Sequence, residues 1–329
     1  MDKILITGGS GFIGSHFHRY MDQDKIVNLD LVRPEFAFRS TYVQGDIRNE
    51  EDIVRALEGN DVTSILSLAA KHHDFGIGHD EYFDTNEGGT EALCRAADRF
   101  GIKEIIFYSS VAVYGVSPEI SHEGKEPSPD SPYGASKLAG EKVLRDWAAK
   151  DSSRKVLILR PTVVFGENNR ANMYSLIRQI SSGLYFHLGA AANIKSIAYV
   201  ENLVEATLFL KERLQSGVTV YNYADEPQLT AREIGETIAA ALGRKVRFTL
   251  PMPLVTLMSL PFDAAIKITG RNLPISSARV RKLSTATHHS AQKLFDAGFV
   301  PRNTTRDGLR KMVSWYLEEK NNVRQRAIE

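Results

Sequence analysis

Residues 3–14 read Lys3-Ile4-Leu5-Ile6-Thr7-Gly8-Gly9-Ser10-Gly11-Phe12-Ile13-Gly14. A short apolar run, Lys3–Ile6, leads into a glycine-rich turn. An amphipathic stretch, Phe12–Met21, follows with Ile13, Phe17, Tyr20 and Met21 on one face. The order is strand, turn, helix. Gly8, Gly11 and Gly14 recur at three-residue intervals. Glycine there permits a tight turn and lets the first backbone N–H groups of the helix, at Phe12 and Ile13, approach a pyrophosphate. A glycine-rich turn alone is weak evidence, and Asp30 strengthens it. Asp30 follows the apolar run Ile26–Leu29, about 20 residues on, where a carboxylate hydrogen-bonds ribose hydroxyls. Its charge repels a 2′-phosphate, so NAD is expected over NADP, with Arg33 close enough to soften that preference.

Outward from this turn, short β-rich runs alternate with amphipathic stretches. Strands are expected at Lys3–Ile6, Ile26–Leu29, Tyr42–Gln44, Ser64–Leu68, Glu104–Tyr108 and Val156–Leu159. Several are continuous apolar runs, as strands buried on both faces should be. Helices are expected at Phe12–Met21, Glu50–Leu57, Glu87–Phe100 (closed by Gly101) and Pro132–Ala149. This βαβ rhythm predicts an α/β fold, a Rossmann-type doubly wound parallel sheet with right-handed crossovers. After about residue 165 the rhythm loosens. A helix is expected near Met173–Ser182, and residues 197–210 look like a return to the sheet followed by a helix. Another helix, Thr230–Leu242, opens on the capping box Thr230/Glu233. The expected division is residues 1–165 plus 196–225 as an NAD-binding domain. Residues 166–195 plus 226–329 form a smaller, mixed C-terminal substrate lobe, with the polar tail Lys320–Glu329 frayed.

Tyr133 and Lys137 are spaced i, i+4 at the start of a helix and share one face. Tyrosine ordinarily titrates near 10. A nearby ammonium and a bound nicotinamide cation would each favour phenolate, making Tyr133 a general base near neutral pH. Ser110 closes the fifth strand at the carboxyl edge, where ligands sit in open α/β sheets. Its hydroxyl would hold a substrate oxygen. Without its context the YxxxK match is a surface pair; with the glycine turn upstream and Ser110 on a strand end, the catalytic reading prevails.

Composition excludes several classes. The 329 residues include 41 basic and 40 acidic side chains, a net formal charge of +1, so no global basic field holds a nucleic acid. The single cysteine, Cys94, precludes an intrachain disulfide and fits a reducing, cytoplasmic setting. No signal-peptide pattern and no run of about 18 apolar residues is seen, so no membrane span is expected.

The chain resembles the extended short-chain dehydrogenase/reductase family, specifically its NAD-dependent epimerase/dehydratase group. The matching pieces are TGGSGFIGSH at Thr7–His16, GDIR at Gly45–Arg48, LAA at Leu68–Ala70 and TNEGGT at Thr85–Thr90. Others are SSVAVYG at Ser109–Gly115, SPYGASK at Ser131–Lys137, LRPTVVFG at Leu159–Gly166, AYVENL at Ala198–Leu203 and GFVPRNTTRDGLRKMVSWY at Gly298–Tyr316. The resemblance implies that Asp46 and Ile47 contact the adenine and that Leu68, Ala69 and Ala70 line the cofactor. It places Asn86 at the cofactor side of the site and Pro161 and Val164 near the nicotinamide. Ser110, Tyr133 and Lys137 would be the catalytic trio. Lys195 would take the position of an arginine that meets a substrate diphosphate. The implied substrate is a nucleoside-diphosphate sugar, and the implied assembly is a homodimer paired through two helices that include that of Tyr133.

Departures from the pattern narrow the reaction. Sugar 4,6-dehydratases of this group carry acids shortly after the strand hydroxyl, whereas Ser110 is followed by Val111 and Ala112. Val163 stands where many nucleotide-sugar epimerases have asparagine. The stretch from Gly166 to Ile180, with Asn193–Asn202, looks closer to a branch acting on sugars for surface polysaccharides, and makes Asn172 a candidate substrate contact. That branch holds 4-epimerases and 4-keto-sugar reductases; Asp30 and a tightly held NAD favour the epimerase. A hydroxysteroid-type dehydrogenase is opposed by Lys195, and a cofactor-sensing regulator by the intact trio. His72-His73-Asp74, past the fourth strand, reads as substrate contact at His72 rather than a metal site, and no metal is expected. Arg279, in the cluster Arg279–Lys282, suits a diphosphate or a solvated face. His288-His289 reads as a loop pair, and the apolar run Pro251–Pro261 as core or dimer contact ahead of a greasy substrate or membrane surface.

Overall fold

The computed structural model describes residues 2–72, 78–255, 257, 260, 261, 263 and 285–326. The chain divides into two compact units. The first comprises Met1–Val164, Val200–Ala224 and His289–Arg302; the second comprises Phe165–Tyr199, Asp225–His288 and Asn303–Glu329.

The first unit is built on β1 (Lys3–Thr7), β2 (Ile26–Asp30), β3 (Thr41–Gln44), β4 (Val62–Ser67), β5 (Glu104–Tyr108) and β6 (Lys155–Pro161). Together with Gly217–Tyr223 they form, among the described residues, a seven-stranded sheet. Its order is Gly217–Tyr223, β6, β5, β4, β1, β2, β3. Every pairing is parallel. The order reverses beside β1, and the crevice at that switch point, outside the carboxyl ends of the strands, is where such sheets bind ligands.

Helices cover both faces, which is why Leu5, Ile6, Val27, Leu29, Ile65, Leu66 and Val156–Leu159 are buried without polar alternation. One core packs Leu5, Val27, Ile65, Ile105, Phe107 and Ile158 against three helices: α2 (Glu50–Leu57), α4 (Gly89–Arg99) and α5 (Pro132–Ala149). On the other face lie α1 (Phe12–Tyr20) and α7 (Val200–Lys211). The Phe17 ring meets the Tyr108 ring at 6.3 Å, and the Tyr108 hydroxyl shares a 2.7 Å hydrogen bond with Thr207 of α7.

The second unit is mixed. It holds α6 (Asn172–Ser182), α8 (Ala231–Ala241) and a closing helix, Thr305–Arg326. Short strand pairs join them: Leu229–Thr230 runs antiparallel to Ile194–Lys195, and Thr249–Leu250 parallel to His187–Leu188. Arg306 reaches Glu233 at 2.8 Å, and the Tyr174 hydroxyl donates to Glu319 at 2.9 Å. The Thr230/Glu233 capping box forms, fixing the start of α8.

Several expectations need correction. The return to the sheet is Gly217–Tyr223, bonded along β6 from Lys155 to Pro161, not residues 197–199. Ile197–Tyr199 belongs with the second unit, where the Ile197 carbonyl accepts from Asp225 N at 2.9 Å and Tyr199 N donates to the Asp225 carboxylate at 2.6 Å. Residues 289–302 belong to the first unit rather than the substrate lobe. Ser290 N donates to Ser121 O at 2.8 Å, the Asn222 amide to Ser290 O at 3.1 Å and Lys293 Nζ to Val220 O at 2.7 Å. Residues 87–88 lie in a π-helical turn, Asp84–Gly88, that joins a short helix α3 (His79–Phe83) to α4. Residues 320–326 continue the closing helix instead of fraying. His289 lies outside regular strands, in an isolated bridge to Ser121, and is a buried ring stacked on Tyr114 at 6.2 Å. Within Pro251–Pro261 only Val255 is a buried hydrophobic among the described residues; Leu254, Leu257 and Leu260 are exposed.

Candidate functional site

The glycine turn is held by close backbone approach. Gly8 has φ +72°, and a Cβ there would lie 2.7 Å from Ala69 N. Gly8 N donates to Leu29 O, and Gly11 N to Gly8 O. A Cβ on Gly14 would stand 2.5 Å from Gly9 Cα, so glycine also lets α1 pack onto the turn. Gly11 caps α1 with no side-chain acceptor. The N–H groups of Phe12 and Ile13 thus open the helix at its positive end. Asp30 follows at the end of β2. Its carboxylate accepts from Ser10 N at 3.0 Å and Val32 N at 3.2 Å, which sets it directly against the turn. Arg33 lies over the Phe38 ring at 5.5 Å. An uncapped helix start, a glycine cradle and an adjoining carboxylate fit a dinucleotide with free ribose hydroxyls.

The loop after β3 places Asp46 and Ile47. Arg48 grips the Asp46 carboxylate through Nε at 2.9 Å, which holds its pKa below the usual carboxylate range. Ile47 is buried under Gly89. After β4, Leu68 N donates to Thr7 O at 3.0 Å, so Leu68–Ala70 run beside the glycine turn. His72 is exposed, with Nδ1 at 3.4 Å from Ala70 O. His73 and Asp74 lie outside the described residues, as does Arg279.

Asn86 sits in the π-helical turn, 2% exposed. It accepts from Lys71 N and donates to Lys71 O, each at 3.1 Å, and donates to Ser136 Oγ at 2.9 Å. Ser136 Oγ in turn donates to the Tyr133 carbonyl. Asn86 therefore ties the segment after β4 to the first turn of α5. That turn begins at Pro132, after the N-cap Ser131, whose side chain accepts from Gly134 N. Tyr133 lies 6.3 Å from the Tyr82 ring.

One turn on, Lys137 is buried. Its ammonium donates to the Tyr108 carbonyl at 2.7 Å and lies 4.8 Å from the Phe107 ring centre. Desolvation pushes its pKa down to about 7, opposed by the Glu141 carboxylate. The bond to Tyr108 joins α5 to the end of β5, two residues before Ser110. Ser110 caps the 3-10 turn Val111–Tyr114, its Oγ accepting from Ala112 N at 3.1 Å. Pro161 ends β6 and is buried, with Val164 three residues on. In the second unit, Asn172 starts α6 exposed, and Lys195 Nζ donates to Thr285 O at 2.6 Å.

Sequence reasoning missed the pair behind the trio. Glu141, fully buried, accepts from Ser109 Oγ at 2.6 Å, from Arg160 Nε at 2.8 Å and from the Arg160 fork at 2.6 Å. Arg160 also donates to the Tyr114 hydroxyl, which donates to Asn222 Oδ1. Burial works against the Arg160 charge, but the bonds to the Glu141 carboxylate outweigh it and raise the Arg160 pKa. Glu141 alone had a local signal, because Tyr133, Lys137 and Glu141 fall at i, i+4 and i+8 on one side of the helix; none pointed to Arg160.

The model of the NAD dependent epimerase/dehydratase family matches residues 4–224. Among curated relatives, N-acetyl-alpha-D-glucosaminyl-diphospho-ditrans,octacis-undecaprenol 4-epimerase of Escherichia coli O157:H7 is 38% identical over 317 residues, covering 95% of each chain. UDP-glucose 4-epimerase of Vibrio cholerae is 28% identical and covers 97% of each. Among solved structures, UDP-glucose 4-epimerase of Thermus thermophilus in complex with NAD superimposes with a TM-score of 0.73. It is 23% identical, covering 96% of this chain and 99% of that one, and shares the fold.

Proposed function

Because the chain belongs to the NAD dependent epimerase/dehydratase family, we propose that it is an NAD-dependent sugar 4-epimerase acting on a sugar diphosphate carried by a polyprenol. The observation that carries the chemistry is the buried Lys137 ammonium one helical turn after Tyr133, held by the Tyr108 carbonyl. The carrier follows the relative with 38% identity over nearly the full length of both chains. A nucleoside-diphosphate carrier is the second reading, favoured by the full-length likeness to a UDP-glucose 4-epimerase.

The Gly8–Gly14 turn would hold the NAD pyrophosphate at the start of α1, with Asp30 on the ribose hydroxyls and Asp46 and Ile47 at the adenine. Leu68–Ala70, Asn86, Pro161 and Val164 would border the rest. When bound, NAD supplies the acceptor and then the donor of a hydride at C4. Tyr133 takes the proton of the sugar 4-hydroxyl while the C4–H bond breaks, and Ser110 holds the same oxygen. Once the 4-keto sugar has turned its other face, Tyr133 would return the proton to the C4 oxygen. Lys137 favours the phenolate by its charge.

The test is an assay of N-acetylglucosaminyl-diphospho-polyprenol beside UDP-N-acetylglucosamine, with the product's C4 configuration read by NMR. The lipid-linked sugar is expected to be the better substrate, and Tyr133→Phe to lower turnover at least about a hundredfold. Near-normal turnover in Tyr133→Phe would remove it as the acid/base. A preference for the nucleotide sugar would replace the first carrier by the second.

A further inference from the structure

The second unit carries an apolar surface edged by positive charge. His187 and Leu188 pair in parallel with Thr249 and Leu250. Phe186 and Phe248 directly precede the paired residues, so strand alternation sets both on one face. Both are exposed, Phe248 by 68%, and Leu184, just upstream, is 75% exposed. The turn that follows Pro251 is anchored by buried Val255 and sits against Gly189, where a Cβ would lie 2.8 Å from Met252 Cγ. From it Leu254, Leu257 and Leu260, at three-residue intervals, stay exposed. Six exposed large apolar side chains on two segments joined by this strand pair and by the Met252–Gly189 approach point to an interaction surface rather than scattered surface residues.

The loop that leads into Phe248 is positively charged, while the Glu236 carboxylate at the other side of the strand pair faces His187 and Arg232. Arg244, Lys245 and Arg247 are exposed or nearly so, and none is in an ion pair among the described residues. The Arg244 guanidinium reaches Gly183, the residue before Leu184. Between Gly243 and Phe262 the sequence has no Asp or Glu, and neither has Gly183–Leu188. Among the described residues no helix is long and apolar enough to cross a membrane. Aromatic and leucine side chains next to lysine and arginine, on two stretches without acids, complement the boundary between lipid head groups and acyl chains of an anionic leaflet.

We propose that Leu184, Phe186, Phe248, Leu254, Leu257 and Leu260, with Arg244, Lys245 and Arg247, dock the protein on the surface of an anionic bilayer. The proposal rests on the reading that the sugar is carried by a polyprenol, which confines the substrate to a membrane.

The experiment is co-sedimentation of the full-length, NAD-bound protein with vesicles of phosphatidylcholine alone or mixed with phosphatidylglycerol. Binding is expected on the anionic vesicles and at least about tenfold weaker on the neutral ones. Arg244→Ser with Arg247→Ser should lower anionic binding by a similar factor, and so should Leu254→Ser with Leu257→Ser, whose cations are intact. All are surface changes, checked by unchanged circular dichroism. Wild-type protein left in the supernatant with anionic vesicles overturns the proposal. So does a leucine variant that sediments like wild type. A wild-type dimer that the leucine pair dissociates, without vesicle binding, assigns the face to a second copy instead. A water-soluble sugar diphosphate on a short prenyl chain separates the two readings. Turnover of it without vesicle binding sinks the surface alone, and vesicle binding without turnover sinks the substrate.

Discussion

Burial holds the Lys137 ammonium at a pKa near 7 while the Tyr108 carbonyl accepts its hydrogen bond. A folded pKa depressed from about 10.5 means that the unfolded chain binds the extra proton between roughly pH 7 and 10.5, so stability from this group rises with pH across that window. Lys137→Met removes the buried charge. In cofactor-free protein its stability relative to wild type should be highest below pH 7 and decline toward pH 10.5, as denaturant titrations at several pH values will read. A difference independent of pH would contradict the burial argument. Gly8 is constrained in another way. Its φ of +72° and the 2.7 Å approach of a Cβ to Ala69 N penalise any side chain. Gly8→Ala should cost about 2 kcal/mol or more and expel NAD from the purified protein, measured by absorbance after denaturation. Retained NAD would show that the turn tolerates opening.

At the scale of elements, α5 carries Tyr133, Lys137 and Glu141 at successive turns, the first half-buried and the other two buried. The last is matched by Arg160 of β6 in a fork with both partners buried. Removing one partner leaves the other charge unpaired, so Glu141→Ala should cost about 3–5 kcal/mol in denaturant unfolding. A cost below about 1 kcal/mol would mean that Arg160 finds other acceptors. The inner strands of the sheet were readable because strands buried on both faces carry continuous apolar runs, as in Ile105–Tyr108. Gly217–Tyr223 was not: it lies at the sheet edge, five of its seven residues are half-buried, and it reads Gly-Val-Thr-Val-Tyr-Asn-Tyr without a continuous apolar run. The turn and the Tyr133/Lys137 spacing were legible because local spacing defines them. The Glu141–Arg160 pair and the Asn86–Ser136 bond join residues 19 and 50 positions apart, and no local pattern states such partners.

At the scale of the molecule, the reaction class turns on whether the cofactor stays. The first unit has the strand order, the glycine cradle and the Asp30 carboxylate of a dinucleotide site. An epimerase regenerates its cofactor within each cycle and holds it; a 4-keto-sugar reductase must release oxidised cofactor and take up reduced. The most direct measurement is therefore turnover of the lipid-linked sugar by purified protein with no cofactor added, paired with quantification of nucleotide released on denaturation. The account predicts about one NAD per chain and many C4 inversions per NAD. Inversion or reduction that stops without added NADH, and consumes it one for one with product, would contradict the assignment as an epimerase.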